Sequence, residues 1–213
     1  ARAENMIDVT QNADVFVEVS GLLKALAVNL AKIAHDLRLM SSGPRAGLGE
    51  ILLPERQAGS SIMPGKVNPV ITEAVNQVSF HVFAADLAIT MAAQSGQLEL
   101  NAFMPLIAHH LLGSLAILNN TVSIFTDLCV KGILACPERC QELLDNSLVT
   151  VTALVPHIGY DQAAKVAGIA YETKRPVREI ILKLGLVSPE AVEVILNPHN
   201  LTRPGIAGEK LLK

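Results

Sequence analysis

The sequence predicts an all-α protein: a long helical bundle followed by a small helical domain. Three observations carry that expectation. Apolar residues recur at helical spacing over three unusually long stretches. Half of all residues are hydrophobic while only 17% are charged. Beyond Pro137 the helical stretches become short and are broken by Gly185 and Pro189. Aliphatic bulk with so few charges suits helices buried on more than one side, as in a large bundle or an oligomer interface.

The first rod is predicted over residues 13–38. Val15, Val19, Leu22, Leu23, Leu26, Leu30, Ile33 and Leu37 mark its apolar face, Asp14 reads as a cap near its start, and Ser41-Ser42-Gly43-Pro44 stops it. A second rod follows Asn68-Pro69 and runs to about residue 93, apolar almost all round. The third spans residues 103–130 and ends before Gly132. Rods of about 25 residues reach about 38 Å. Three of them alone would leave much apolar surface wet, so partner helices from other chains are expected to complete the bundle.

Short helices are predicted over residues 138–146, 160–173, 176–184 and 189–196, closed by a coil tail at 197–208. The chain therefore reads as a bundle domain, 1–136, and a small helical domain, 137–213.

Several function classes are disfavoured. A net charge of −3 leaves no electrostatic footprint for nucleic acid. No basic amphipathic helix faces a membrane, and no uninterrupted apolar run reaches the roughly 18 residues of a spanning helix. The nearest run, residues 82–93, contains Asp86. The first residues lack the basic-then-apolar layout of a signal peptide. Three cysteines, an odd number, argue for a reducing compartment and a cytoplasmic location. Cys136 and Cys140 have helical spacing but no further ligand of suitable spacing nearby, so neither metal nor other cofactor is expected.

Between the first two rods lies a segment, 41–69, punctuated by Gly43, Pro44, Gly47, Gly49, Pro54, Gly59, Pro64, Gly65 and Pro69. It reads as a loop with short strands, and loops of this length inside helical proteins usually carry function. Its last part is Gly59-Ser60-Ser61-Ile62-Met63-Pro64-Gly65-Lys66-Val67-Asn68-Pro69. Asn68-Pro69 suits an N-cap followed by proline at the first helical position. The start of a long helix offers unpaired N–H groups and a partial positive charge. Lys66 adds a full charge, and the Asn68 side chain can donate a hydrogen bond. Such a site suits a carboxylate, or a carboxylate gaining charge during reaction.

That stretch resembles the GSSxMPxKxN signature of the fumarase/aspartase superfamily, and every fixed position matches. The resemblance extends along the chain through DLRLMSSGPRAGLGEILLPERQAGSS, SGQLELNAFMP, HIGYDQAAKVA and the PGIAG tail. It implies β-elimination from a small dicarboxylate with release of fumarate, in a homotetramer whose pockets draw on several chains. Ser60 would be the base that takes the Cβ proton. On spacing alone Ser61 could be that base; the family motif prefers Ser60 and leaves Ser61 in substrate binding. Lys66 and Asn68 would bind the carboxylate beside the developing carbanion. Glu73, in the KVNPxxxE continuation, resembles the family's carboxylate that pairs with a catalytic-site histidine.

Only the second half of the family's usual chain is matched, and no THxQDA-like histidine segment occurs. The chain is therefore expected to be part of a longer protein and inactive alone. VTQNADVFVEVSGLL, Gln97-Leu98 and ILNPHNLTRPGIAG are similar to the aspartase branch, which implies elimination of ammonia from aspartate. HIGYDQAAKVA and the His109 region are similar to the class II fumarases instead. A third reading is a non-catalytic helical assembly unit, since some members of this superfamily are structural proteins of the eye lens. His109 and His110 point to different helix faces and read as packing or interface residues. His35 and His81 read as helix-surface or core residues, His157 as a loop residue, and Arg45 as a loop-positioning cation.

Overall fold

A computed structural model describes residues 3–57, 59, 62–63 and 65–212. The chain divides into two compact units, Ala1–Cys136 and Pro137–Lys213.

The first unit begins with a short helix, α1 (Asp8–Gln11), and continues with three rods: α2 (Asp14–Met40), α3 (Val70–Gln94) and α4 (Met104–Leu128). Asp14 is the first helical residue of α2 rather than its cap, which is Ala13. The side chain facing α3 from α2 is small wherever it is buried: Ser20, Ala27, Ala31 and Ala34. Small residues let two backbones approach closely, and larger partners on α3 and α4 fill the seam. On α4 the buried positions Ile107, Ser114, Leu118, Thr121 and Phe125 are spaced by one full heptad and then by four, three and four residues, the spacing of a coiled-coil seam. Three apolar layers result. Ala13, Ile89, Ala92 and Ile107 form one, Ala27, Val82 and Leu118 the next, and Ala34, Val75, Phe125 and Cys129 the last.

A buried charge sits in this bundle. Asp86 on α3 accepts hydrogen bonds from Ser20 Oγ at 2.8 Å and from Lys24 Nζ at 2.6 Å, both on α2. Asn101 holds the turn between α3 and α4. Its Nδ2 donates to the Ala92 and Ala93 carbonyls at 3.1 and 3.2 Å, and its Oδ1 accepts from the Phe103 N–H at 2.8 Å.

The outer faces of the rods stay apolar. Leu22 and Val28 on α2, Leu87 and Met91 on α3, and Leu112 and Ile124 on α4 are all exposed. This corrects one sequence expectation. Within Met104–Gly132 an 18-residue stretch has a mean hydropathy of 1.3, so the segment is long and apolar enough to cross a membrane by length and composition, and 22% of that stretch is buried within this chain. The uninterrupted-run criterion missed it because scattered polar residues such as His109 and Asn119 break the run without lowering the average much.

The loop from α2 to α3 is strapped to the far end of α4. Its strand β1 (Ile51–Leu52) pairs antiparallel with β2 (Leu134–Ala135), placing Ile51 opposite Ala135 and Leu52 opposite Leu134. Cys136 N–H donates to Glu50 O at 2.9 Å, and Arg56 Nε donates to Leu128 O at 2.8 Å.

In the second unit α5 (Pro137–Asp145), α6 (Val155–Ile158), α7 (Tyr160–Thr173), α8 (Val177–Leu184), α9 (Pro189–Ile195) and α10 (Pro198–Leu201) are joined by tight turns. Leu154, Val166, Ile180, Ile181, Val192 and Ile195 form its core. Residues 148–154 form a 3₁₀ helix that periodicity did not reveal. The expected coil at 197–208 contains α10, because the Asn197 side chain caps the His199 N–H and Pro198 fits the first helical position. His157 lies in α6, not in a loop, and its Nε2–H donates to Ala207 O at 2.8 Å.

Candidate active site

Lys66, Asn68 and Glu73 come together with Arg38, Ser41 and Ser42 around one open cleft of about 470 Å³ in the first unit. Three pieces of backbone build it.

The first is the end of α2. Arg38 lies in its last turn, and Ser41 closes it with its N–H bonded to the Leu37 carbonyl. The Ser41 hydroxyl donates to Arg38 O at 3.1 Å and the Ser42 hydroxyl donates to Leu39 O at 2.6 Å, so two short side chains satisfy carbonyls that the helix end leaves open. Ser42 Oγ also accepts from the Leu48 N–H at 3.1 Å. Gly47 folds back so tightly there that a Cβ would stand 2.4 Å from the Ser42 carbonyl carbon, so only glycine fits.

The second piece is β1, whose Ile51 and Leu52 line the cleft, held by the strap to α4. The third is the loop running into α3. The Lys66 N–H closes a turn on Met63 O at 3.3 Å, and Gly65 has φ of +77°. Gly59 lies against the Lys66 carbonyl, bringing the two ends of the loop together. Ser60 and Ser61 lie outside the described residues.

The start of α3 differs from the sequence expectation. Its N-cap position is Pro69, with no side-chain cap, and the helix proper begins at Val70. The Val70 N–H bonds to the Asn68 backbone carbonyl at 2.9 Å, while Pro69 O receives the Thr72 hydroxyl at 2.7 Å and the Glu73 N–H at 3.1 Å. Asn68 is therefore not the side-chain cap of α3, and it lines the cleft.

Charge in the cleft favours an anion, since the described lining residues include two cations, Arg38 and Lys66, against one carboxylate, Glu73. Arg38 Nη2 lies 3.5 Å from Glu73 Oε1. That pairing joins a cation at a helix C-terminus to an anion in a helix first turn, each where the helix dipole favours it. Arg45 is exposed and does not line the cleft. His35, His81 and His109 are exposed, and the His109 and His110 rings meet edge-on at 5.3 Å. In sequence Ser41 and Ser42 read only as part of a helix stop, and Arg38 only as the end of the first rod. The signal for Arg38 was its place in the last turn of a rod just ahead of the Ser-Ser-Gly-Pro stop.

Two family models match the chain: "Lyase" over residues 1–84 and "Fumarase C C-terminus" over residues 150–203. Both matched families are named for lyases. An aspartate ammonia-lyase of a Bacillus species is 51% identical over 98% of this chain and 44% of its own length. Among solved structures, a fumarate lyase/delta-crystallin protein from Brucella melitensis, bound to cobalt, has a TM-score of 0.89 and 46% identity over 96% of this chain and 44% of that one. A class II fumarase from Schistosoma mansoni follows, with a TM-score of 0.87 and 39% identity over 95% of this chain and 42% of that one. The chain belongs to the fumarase/aspartase superfamily of lyases. It spans 44% of the length of that aspartate ammonia-lyase, and so less than half of the curated relative it matches.

Proposed function

We propose that this chain works as the C-terminal part of a longer cytoplasmic lyase that eliminates ammonia from L-aspartate to give fumarate. The observation that carries the reading is the cleft itself: Lys66 and Asn68 stand at the junction of the serine loop and α3, in a chain 51% identical to an aspartate ammonia-lyase.

In this reading Ser60 takes the proton from Cβ, and the electron pair moves onto the adjacent carboxylate as an aci-carboxylate dianion. Collapse of that dianion forms the double bond and expels the amine from Cα. Lys66 and Asn68 stabilise the dianion, and Ser61 assists in binding. Preorganised donors aimed at such charge are usually the largest catalytic contribution. Serine is a weak base unless its alkoxide is stabilised, so the site must exclude water when closed. Glu73 pairs with a histidine from another part of the assembly. The uncovered apolar faces of α2, α3 and α4 support a homotetramer in which helices of other subunits lie against them.

A second reading is a class II fumarase acting on malate, favoured by the match of residues 150–203 to the fumarase C C-terminal model. Incubating the longer protein with L-aspartate and separately with L-malate, with fumarate followed by its ultraviolet absorbance, tests both. Fumarate from aspartate is expected. Release from malate alone replaces the substrate, and release from neither favours a structural assembly protein. Ser60→Ala should lower kcat by about 10²-fold or more without shifting the melting temperature. Wild-type turnover in that variant would remove Ser60 as the base.

A further inference from the structure

The strongest observation not absorbed by the proposed mechanism is the Arg38–Glu73 ion pair. Building on the lyase reading, we propose that Arg38 is a positioning residue: it holds Glu73 by one carboxylate oxygen so that the other is presented to the cleft for a second partner.

The geometry carries this in three steps. Arg38 Nη2 approaches Glu73 Oε1 at 3.5 Å, and both residues line the cleft that also contains Lys66 and Asn68. The pair bridges two separate rods, with Arg38 in the last turn of α2 and Glu73 in the first turn of α3, so it fixes the carboxylate relative to a second rigid element. The approach is to Oε1, at a distance longer than a tight charge-assisted hydrogen bond, and a carboxylate has acceptor sites on both oxygens, so Glu73 keeps the capacity to accept from another group.

Solvent access decides what kind of residue Arg38 is. The two side chains are 49% and 37% exposed, and ion pairs this wet contribute little to stability. A loss of activity in an Arg38 variant would therefore not be a loss of fold. Without the guanidinium, Glu73 has no described partner for its side chain across the cleft, and its rotamer is set only by α3. Orientation errors of that kind act on turnover more than on binding.

The experiment is a double-mutant cycle in the longer enzyme, assayed on whichever of aspartate or malate the wild type converts. Arg38→Met should lower kcat by about tenfold with KM nearly unchanged. Its melting temperature should match the wild type, and Arg38→Lys should recover much of the loss. Glu73→Gln should also lower kcat, and the double variant Arg38→Met/Glu73→Gln should be no slower than Glu73→Gln alone, because Arg38 acts through Glu73. Wild-type kcat in Arg38→Met overturns the proposal, as do losses that multiply in the double variant, which would mean that Arg38 acts on substrate directly. A wild type inert toward both substrates defeats the lyase reading and this inference with it. An active wild type with an unaffected Arg38→Met defeats this inference alone.

Discussion

Gly59 passes so close to Lys66 that a Cβ on the glycine would stand 2.5 Å from the lysine's carbonyl oxygen. The obstacle is backbone, so no rotamer change relieves it. Gly59→Ala must therefore push the two ends of the serine loop apart and move Lys66 relative to Asn68 and α3. Misplacement of a binding group by about 1 Å can cost on the order of 10²-fold in rate. A fall in kcat/KM of that order is expected, with a melting temperature near wild type because the loop is exposed here. Unchanged kinetics would show that the closed loop base has no part in turnover.

The elements that sequence displayed and those it concealed differ in the range of the interactions that make them. The three rods were legible because each carries its own apolar period over many turns, and local pattern alone specifies it. The start of α3 was misplaced because Asn68-Pro69 has the composition of a cap and first turn, while the structure uses the Asn68 backbone carbonyl, not its side chain. β1 and β2 are two residues each, and what defines them is pairing across a long chain separation. In the cleft, the motif exposed Lys66, Asn68 and Glu73 as neighbours in sequence. Arg38 comes from another rod, and a periodic reading of α2 recorded only its apolar face.

Lys24 and Asp86 test what holds α2 in register with α3. Asp86 is buried and takes two donors, whereas Lys24 is about half exposed. Lys24→Met leaves the carboxylate with Ser20 alone, and losing one charged partner of a buried group costs about 1–3 kcal/mol. Replacing both, as Lys24→Met/Asp86→Leu, removes the uncompensated charge and should recover part of that loss. Melting temperatures of the two variants decide the matter. A double variant less stable than Lys24→Met would mean that the polar network itself is what the bundle needs.

Asn101 is 4% exposed and satisfies three backbone groups at the α3–α4 turn. Asn101→Ala leaves two carbonyls and one N–H without that partner, for a loss of about 1–3 kcal/mol. Asn101→Asp should be worse, because a carboxylate would face the Ala92 and Ala93 carbonyls where a donor now stands. Thermal melts in the order wild type, alanine, aspartate are expected. An aspartate variant as stable as wild type would show that the turn does not depend on the donor.

Cys129 gives a prediction in pH. Burial raises its thiol pKa above the ordinary 9.0, and the charge of Arg56 only partly opposes this. The folded protein thus holds the proton more tightly than the unfolded chain. Below the ordinary value both states are protonated, and the thiol adds no pH dependence. As pH rises beyond it, the unfolded chain ionises first and is stabilised, so folding stability falls through the window between the ordinary and the raised value. Melting temperatures measured from about pH 8 upward should decline more steeply for the wild type than for Cys129→Ala, which lacks the group. The same protonated, buried thiol should resist iodoacetamide at about pH 8 in the folded protein and react once it is unfolded. Rapid alkylation of Cys129 in the folded state, mapped by peptide mass, would contradict the burial that separates it from the half-buried Cys136 and Cys140.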